Sequence, residues 1–526
     1  WVWPWCFPPA TPCGGIAAAL AAGNAVIIKP ASDAVLPAWE LCQCFWRGGV
    51  SKKTLQFLPC SGGEEGMRLA IDPRVDAVIL TGGTETALTL LRAKLSLPLS
   101  AETGGKNATI VTALSDRDQA IKNVLHSAFS HSGQKCSATS LLLLEAEVHD
   151  DPEFKRMVVE AAQSITVGSA WDLPTKMGPL IRPPRGELES ALLTLEEGES
   201  WALLPRRIDG NDNLWTPGIK WGVRPGSRTH LTEFFGPVLG GMRFETLTEA
   251  IELVNQTGYG LTSGLESLDD REQEEWKAGI RAGNLYINRS TVGAIVLRQP
   301  FGGMGKSAFG TGLKAGGPNY VAQFMRFAGA RNGENQMTND EPGQKLDGLV
   351  DLLVAGYQRA WEAEFGRVHD SFRIPGQDNL RRYLPVRDLR IRAHPEDTTV
   401  EIIARVAAAH VAGCRVTVSL PPGMRNDALS ALREQTADWE EGVEILEESD
   451  TALADAISQK RVERVRYAAP ERVPETVRRA AFEAFAGIAD APVLAEGRIE
   501  LLWYVREQSI SFDYHRYGNL GHRSAR

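Results

Sequence analysis

Short apolar runs alternate with helical stretches along the whole chain, and that alternation limits the fold more than any other feature. "AVIIKP" follows the helical stretch "GGIAAALAAGN", "TLQFLP" follows "AVLPAWELCQCFWRGG", and "VDAVILTGG" leads into "TETALTLLRAKL". Strands this apolar, separated by helices, are buried on both faces, which predicts a parallel α/β sheet. The pattern continues from about 105 to 305, where "NATIV" and "SLLLLEA" sit beside "DRDQAIKNVLHSAF" and "LTEAIELVNQT". A polar stretch at 329–345, "GARNGENQMTNDEPGQK", reads as a linker. Beyond it the α/β pattern resumes with "TTVEIIARVAAAHVAG", "RVTVSL", "RVRYAA" and "PETVRRAAFEAFAGI", and it ends in an aromatic tail.

Bulk properties narrow the function. At 526 residues the chain accommodates two or more domains. A net charge of -9 argues against nucleic acid as the main partner, because phosphate binding needs a basic surface. The longest apolar stretch is Ala-rich, Gly-punctuated and too short to span a bilayer. The 7 cysteines form no disulfide framework, and Cys42 and Cys44 lack the partners that a zinc site requires. No metal is therefore expected, and a reducing, cytoplasmic setting is. Because the chain begins at Trp1, not Met, and shows no signal peptide, it reads as a fragment whose N-terminus is missing.

Chemistry-bearing residues cluster at glycine turns. Gly82 and Gly83 allow a tight strand-to-helix turn, and Thr84 is placed to cap the helix, which suits an anion such as a phosphate. Glu102 ends a strand before a second Gly-Gly turn in "LSAETGGKNATIV". Cys136 follows a Gly-Gln-Lys turn in "AFSHSGQKCSATSLLL". A cysteine that forms a thioester needs a base to activate the hydrolytic water, so Glu102 and Cys136 matter as a pair. Glu233 and Phe235 lie just ahead of Gly236-Pro237 in "LTEFFGPVLG". The Gly-rich loop "NRSTVGAIVLRQPFGGMGKSAFG" offers backbone N–H groups to a carboxylate.

Taken in order, "KPAS", "LTGGTE", "ETGGKN", "GQKCSA", "EFFGPV" and "QPFGGMGKSAFG" resemble the aldehyde dehydrogenase superfamily over residues 1 to about 328. The loop after "NLYIN" narrows the likeness to the glutamate γ-semialdehyde (pyrroline-5-carboxylate) dehydrogenases, especially the dehydrogenase half of the proline utilization A family. That resemblance implies an aldehyde-dehydrogenase-like α/β fold: a partial NAD-binding domain at 1–104, a catalytic domain at 105–317, and an oligomerisation strand and linker at 318–345. The stretch 346–526 resembles the family's extra C-terminal domain, an aldehyde-dehydrogenase-like fold without catalytic motifs. It implies that Cys136 attacks the aldehyde carbon and that Glu102 activates water against the resulting thioester. Lys29 would hold the adenosine ribose, Gly82, Gly83 and Thr84 the pyrophosphate, and Glu233 the nicotinamide ribose, with Phe235 against the ring. Ser137 and the N–H groups of Gly293 and Ala294 would hold the substrate's α-carboxylate, with Phe129 and Phe301 as walls or as core. A homo-oligomer, and an upstream proline dehydrogenase domain carrying FAD in the longer relatives, are also implied.

Two positions depart from the family pattern. Cys6 stands where an Asn donates to the developing oxyanion, and a thiol is a weak donor. Losing one such donor typically costs on the order of a hundred- to a thousand-fold in rate. The alternative reading of Cys6 is an oxidation-prone second thiol near Cys136. Ser32 replaces a Glu that repels a ribose 2′-phosphate, which relaxes discrimination against NADP while leaving NAD the first choice. Two other readings stay open: oxidation of another semialdehyde such as succinate semialdehyde, and a catalytically impaired subunit that serves assembly or channelling. His515 in the aromatic tail reads as a packed residue rather than a ligand or base.

Overall fold

A computed structural model describes residues 6–327, 346–424 and 443–514, with backbone alone over 346–350. The expected linker at 329–345 and the tail carrying His515 lie outside the described residues. Most expected elements form where the pattern places them. The strands Val78–Thr81, Ala108–Val111 and Leu141–Glu145 and the helix Arg117–Phe129 are examples. That helix starts because Asp116 accepts the N–H of Gln119 at 3.0 Å. Its Ala120, Ile121, Val124, Leu125 and Ala128 recur at helical spacing and pack on the sheet. Burial of side chains such as Leu125 contributes about 1.5–3 kcal/mol each. The helix stops where His131, Ser132 and Gly133 turn successively to φ 55°, 56° and 67°.

The core is a nine-stranded sheet. Its order is Gln377–Pro385, Val505–Asp513, Asn284–Ile287, Thr262–Glu266, Ala108–Val111, Leu141–Glu145, Val238–Phe244, Gly218–Trp221, Ser200–Leu203. The seven central strands are parallel and each edge strand is antiparallel to its neighbour. The first two strands in that order come from the C-terminal part of the chain. Val505–Asp513 pairs directly with Asn284–Ile287, with Asn284 opposite Ser509.

The N-terminal region contributes two smaller sheets. Val26–Ile28 pairs with Leu55–Phe57, and Val78–Thr81 lies beside Leu99–Glu102, which pairs with Ala308–Phe309. The remaining C-terminal strands form a five-stranded parallel sheet ordered Glu444–Glu447, Arg415–Leu420, Asp388–Arg392, Arg464–Arg466, Gly487–Ala489. Numbered along the chain, that order is 3-2-1-4-5, a doubly wound arrangement with a crevice where the winding reverses. Buried Arg405 fills that crevice. Its guanidinium donates to the carbonyls of Arg392 at 3.0 Å and Arg466 at 3.3 Å and pairs with Asp397. Phe482 and Phe485 from this unit pack onto the cluster formed by Val78, Leu80, Leu88 and Leu99. Among the described residues no helix is long and apolar enough to cross a membrane.

Candidate active site

The loop carrying Cys136 is anchored by a residue that sequence reasoning passed over. Asn107, at the end of "ETGGKN", donates to the carbonyls of Cys136 at 2.7 Å and Ala138 at 3.0 Å. Its own carbonyl accepts the N–H of Thr262 at 3.0 Å. Thr291 Oγ1 donates to the Ser137 carbonyl at 2.8 Å. Upstream, His131 and Ser132 adopt left-handed backbone that costs a non-glycine residue roughly 1–3 kcal/mol, so the surrounding packing must hold it. Gly133 lies so close to the Gly236 carbonyl that a β-carbon there would overlap it. The Cys136 loop and the Glu233–Pro237 loop are thereby locked together.

Two carboxylates face this loop, and a glycine turn receives each. Glu102 Oε2 accepts the N–H of Gly303 at 3.0 Å, and a β-carbon on Gly302 would come within 2.8 Å of Oε1. Burial pushes the Glu102 carboxyl up to about 8, against the pull of the Lys314 cation and the Gly303 N–H. Lys314, also unforeseen, donates to Asn284 Oδ1 at 3.0 Å and to the Gly302 carbonyl. Burial brings its ammonium down to about 8. Glu233 Oε1 accepts the N–H of Gly105 at 2.8 Å. Burial raises Glu233 to about 7, opposed by the Gly105 N–H and Lys106. Buried Lys106 lies with its Nζ 4.6 Å from the Phe234 ring centroid, and desolvation lowers it to about 7.

Cys136 is half-buried and hydrogen-bonded to the thiol of Cys6. That bond, then burial and the negative charges of Cys6, Glu233 and Glu102, push the Cys136 thiol well above its ordinary range. The same bond, with Cys136 donating, lowers Cys6. A pair of thiols sharing one proton releases its first proton easily and its second with difficulty.

Lys29 is 4% exposed and donates to the carbonyls of Pro30 at 2.7 Å and Cys60 at 3.4 Å. Burial lowers its ammonium. Ser32 is exposed at the start of a short 3-10 turn, Ser32–Ala34. Gly83, not Thr84, caps the helix Thr84–Ala93, with no side chain bonded to its first N–H groups. The Thr84 hydroxyl instead donates to the Lys306 carbonyl at 3.1 Å, because the glycine-rich loop passes beside it. Nothing lies within 4 Å of a β-carbon on Gly83, so the turn is open to a ligand. Phe235 is half-buried at φ 55°. Ser137 is buried, while Gly293, at φ 92°, and Ala294 are exposed. Phe129 is 1% exposed and packs with Val111, Leu142 and Val158, and Phe301 is half-buried and bridged to Ala315.

The chemistry of these residues suits a dinucleotide: a bare helix N-terminus beside an unobstructed glycine turn, a buried lysine and a half-buried carboxylate. Among the described residues no group of three or more His, Cys, Asp or Glu is placed to hold a metal ion.

Over residues 1–328 the chain matches the aldehyde dehydrogenase family. It is 38% identical over 341 residues to the bifunctional protein PutA of Escherichia coli strain K12, covering 61% of this chain and 25% of that protein. The structure of Proline Utilization A from Corynebacterium freiburgense is similar with a TM-score of 0.82 at 37% identity, covering 98% of this chain and 50% of that one. A 1-pyrroline-5-carboxylate dehydrogenase from Thermus, solved with bound NAD, is similar at 34% identity and a TM-score of 0.57, covering 61% of this chain and 63% of that one. The chain thus spans only part of each of these relatives. Since Cys136, both carboxylates and their glycine turns all fall inside the matched span, the chain belongs to the aldehyde dehydrogenase family.

Proposed function

We propose that this chain oxidises L-glutamate γ-semialdehyde, the open form of pyrroline-5-carboxylate, to L-glutamate with NAD, as a step of proline breakdown. The observation that carries this reading is the convergence of Cys136, Glu102 and Glu233 on one pair of interlocked loops. The PutA and pyrroline-5-carboxylate dehydrogenase relatives support the choice of substrate.

Cys136 as thiolate adds to the aldehyde carbon, forming a thiohemiacetal. NAD, when bound, accepts the hydride that the thiohemiacetal carbon releases. The thioester left on Cys136 is then hydrolysed by water whose proton Glu102 takes, and the acid departs. Lys29 and Glu233 hold the two riboses, and the open turn at Gly82 and Gly83 receives the pyrophosphate. Ser137 with the Gly293 and Ala294 N–H groups fixes the substrate's α-carboxylate. Exposed Ser32 leaves room for a 2′-phosphate, so NADP serves as a slower cofactor. In this reading the protein works in the cytoplasm as a homo-oligomer, and in its full-length form an upstream FAD-dependent proline dehydrogenase domain supplies the substrate. In this reading the C-terminal unit is without catalytic motifs, and among its described residues Arg405 fills the crevice of the five-stranded sheet.

The Cys6–Cys136 hydrogen bond favours a second reading, a slow or impaired enzyme whose nucleophile is held protonated. The test is NADH formation from glutamate γ-semialdehyde, with succinate semialdehyde as competitor and Cys136→Ala and Cys6→Asn alongside. Turnover that Cys6→Asn raises and Cys136→Ala abolishes supports the dehydrogenase. A folded chain that is inactive and stays so with Cys6→Asn supports an assembly role.

A further inference from the structure

Cys6 and Cys136 are both half-buried, and their sulfurs are joined by a hydrogen bond. The neighbouring residue fixes this contact. The Phe7 ring stacks on His131 with centroids 6.3 Å apart, and Lys135 Nζ lies 5.4 Å from the same ring. The segment bearing Cys6 is therefore seated on the loop bearing Cys136. A disulfide requires the sulfurs to close to about 2.05 Å, and the seating of Phe7 against His131 and Lys135 holds the two thiols on facing segments.

We propose that Cys6 and Cys136 form a reversible disulfide when the protein meets a hydroperoxide, a thiol switch that withdraws the nucleophile and shields it from further oxidation. One thiolate attacks a peroxide oxygen, so an S–O bond forms, the O–O bond breaks, and the departing oxygen takes up a proton. The second sulfur then attacks the sulfenic sulfur. An S–S bond forms, the S–O bond breaks, and hydroxide leaves with the thiol proton as water. Two electrons pass from the sulfur pair to the peroxide, and a dithiol reductant returns them. Without a partner thiol, a sulfenic acid at Cys136 proceeds to the irreversible sulfinic acid. The easily lost first proton of the pair supplies the reactive thiolate. Buried Cys42 and Cys414 are shut off from the oxidant, whereas exposed Cys44 serves as an internal standard.

Formation of the bond is independent of the proposed reaction, while its effect on activity rests on that reading. The test exposes the reduced whole chain to hydrogen peroxide, maps unreduced peptides by mass, and follows NADH formation in parallel. The expected result is a linked Cys6–Cys136 peptide lighter by two hydrogens, whose yield tracks the loss of activity, and full recovery with dithiothreitol. Cys6→Ser, which is nearly isosteric, is expected to give no linked peptide and an oxidation at Cys136 that dithiothreitol does not reverse. Sulfinic acid at wild-type Cys136 without the link would overturn the switch, as would an unmodified Cys136 at peroxide levels that oxidise Cys44. A linked peptide in a chain without turnover would uphold the switch and overturn the dehydrogenase reading.

Discussion

The carboxylate of Glu233 occupies the space that a β-carbon on Gly104 would need. The first glycine of "ETGGKN" is therefore a receptor for a side chain 129 positions later, with Gly105 supplying the N–H that holds it at 2.8 Å. Gly104→Ala drives the carboxylate off, and because a flexible side chain yields more easily than backbone, the fold survives. The expected outcome is a KM for NAD raised roughly tenfold, the equivalent of one lost hydrogen bond to a charged group. Steady-state kinetics against NAD, with a melting curve to confirm folding, checks it. An unchanged KM would remove Glu233 from cofactor binding.

Because burial lifts Glu102 to about 8, its carboxyl is largely protonated at pH 7 and cannot take a proton from water. Basic form accumulates as pH rises through that value, so thioester hydrolysis gains rate from pH 6.5 to 9 with a midpoint near 8. At pH 6.5 NADH then appears as a burst followed by slow turnover. Glu102→Gln keeps the burst but loses roughly a hundred- to ten-thousand-fold in hydrolysis and flattens its pH profile. Stopped-flow NADH traces across pH separate the two phases. A wild-type profile with no rise near 8 would count against Glu102 as the base.

Asn107 satisfies three backbone groups at once: the carbonyls of Cys136 and Ala138 and the N–H of Thr262. Asn107→Ala leaves them buried and unpaired at about 1–3 kcal/mol each, partly relieved by relaxation. The expected result is a loss of about 3 kcal/mol in urea unfolding together with a fall in kcat. Asn107→Asp, which loses the donor, is expected to impair both as well.

Lys106 is buried against the Phe234 ring, with its ammonium lowered to about 7 from the 10.5 of an exposed lysine. A lysine depressed in the fold gives its full contribution above the unfolded value and loses it as pH falls through the folded one. The charged form therefore burdens the fold by on the order of 4 kcal/mol at pH 6. Lys106→Met is expected to be more stable than wild type at pH 6, with the gap narrowing towards pH 9. Urea midpoints at the two pH values decide it.

Ser509 lies opposite Asn284, donates its N–H to the Gly283 carbonyl at 2.9 Å and its hydroxyl to the Pro300 carbonyl at 2.6 Å. Ser509→Pro removes the ladder donor from an interior strand, at a cost of about 3 kcal/mol or more. Since Asn284 also holds Lys314 at 3.0 Å beside Glu102, activity is expected to fall together with stability. Parallel thermal melts and NADH assays test this.

Local signals in the sequence single out Cys136, Glu102 and the glycine turns, because each motif packs its chemistry into a few neighbouring residues. The strands were legible for the same reason: apolar runs such as "SLLLLEA" carry their burial in their own composition. Contacts between distant segments were not legible. Nothing near Val505–Asp513 announces that it pairs with Asn284–Ile287, since register depends on a partner elsewhere in the chain. Cys6 stands out in the sequence as a departure from the family and as a second thiol near Cys136, but its seating on the 131–136 loop needs the fold. Asn107 was hidden in a motif already credited to Glu102. Its role lies in backbone groups, which no side-chain pattern reveals.

The pairing of Val505–Asp513 with Asn284–Ile287 also sets a timetable for synthesis. A chain made from its N-terminus usually folds domain by domain as each emerges from the ribosome. Here the segment containing Cys136, Glu102 and Asn284–Ile287 emerges first, with one edge of its sheet bare. The strand that covers that edge arrives only after the whole five-stranded unit has been made. Until then the nascent protein carries an open row of backbone donors and acceptors, which invites pairing with other chains. Productive folding of the part that holds Cys136 is thus delayed until residues 505–513 have been made.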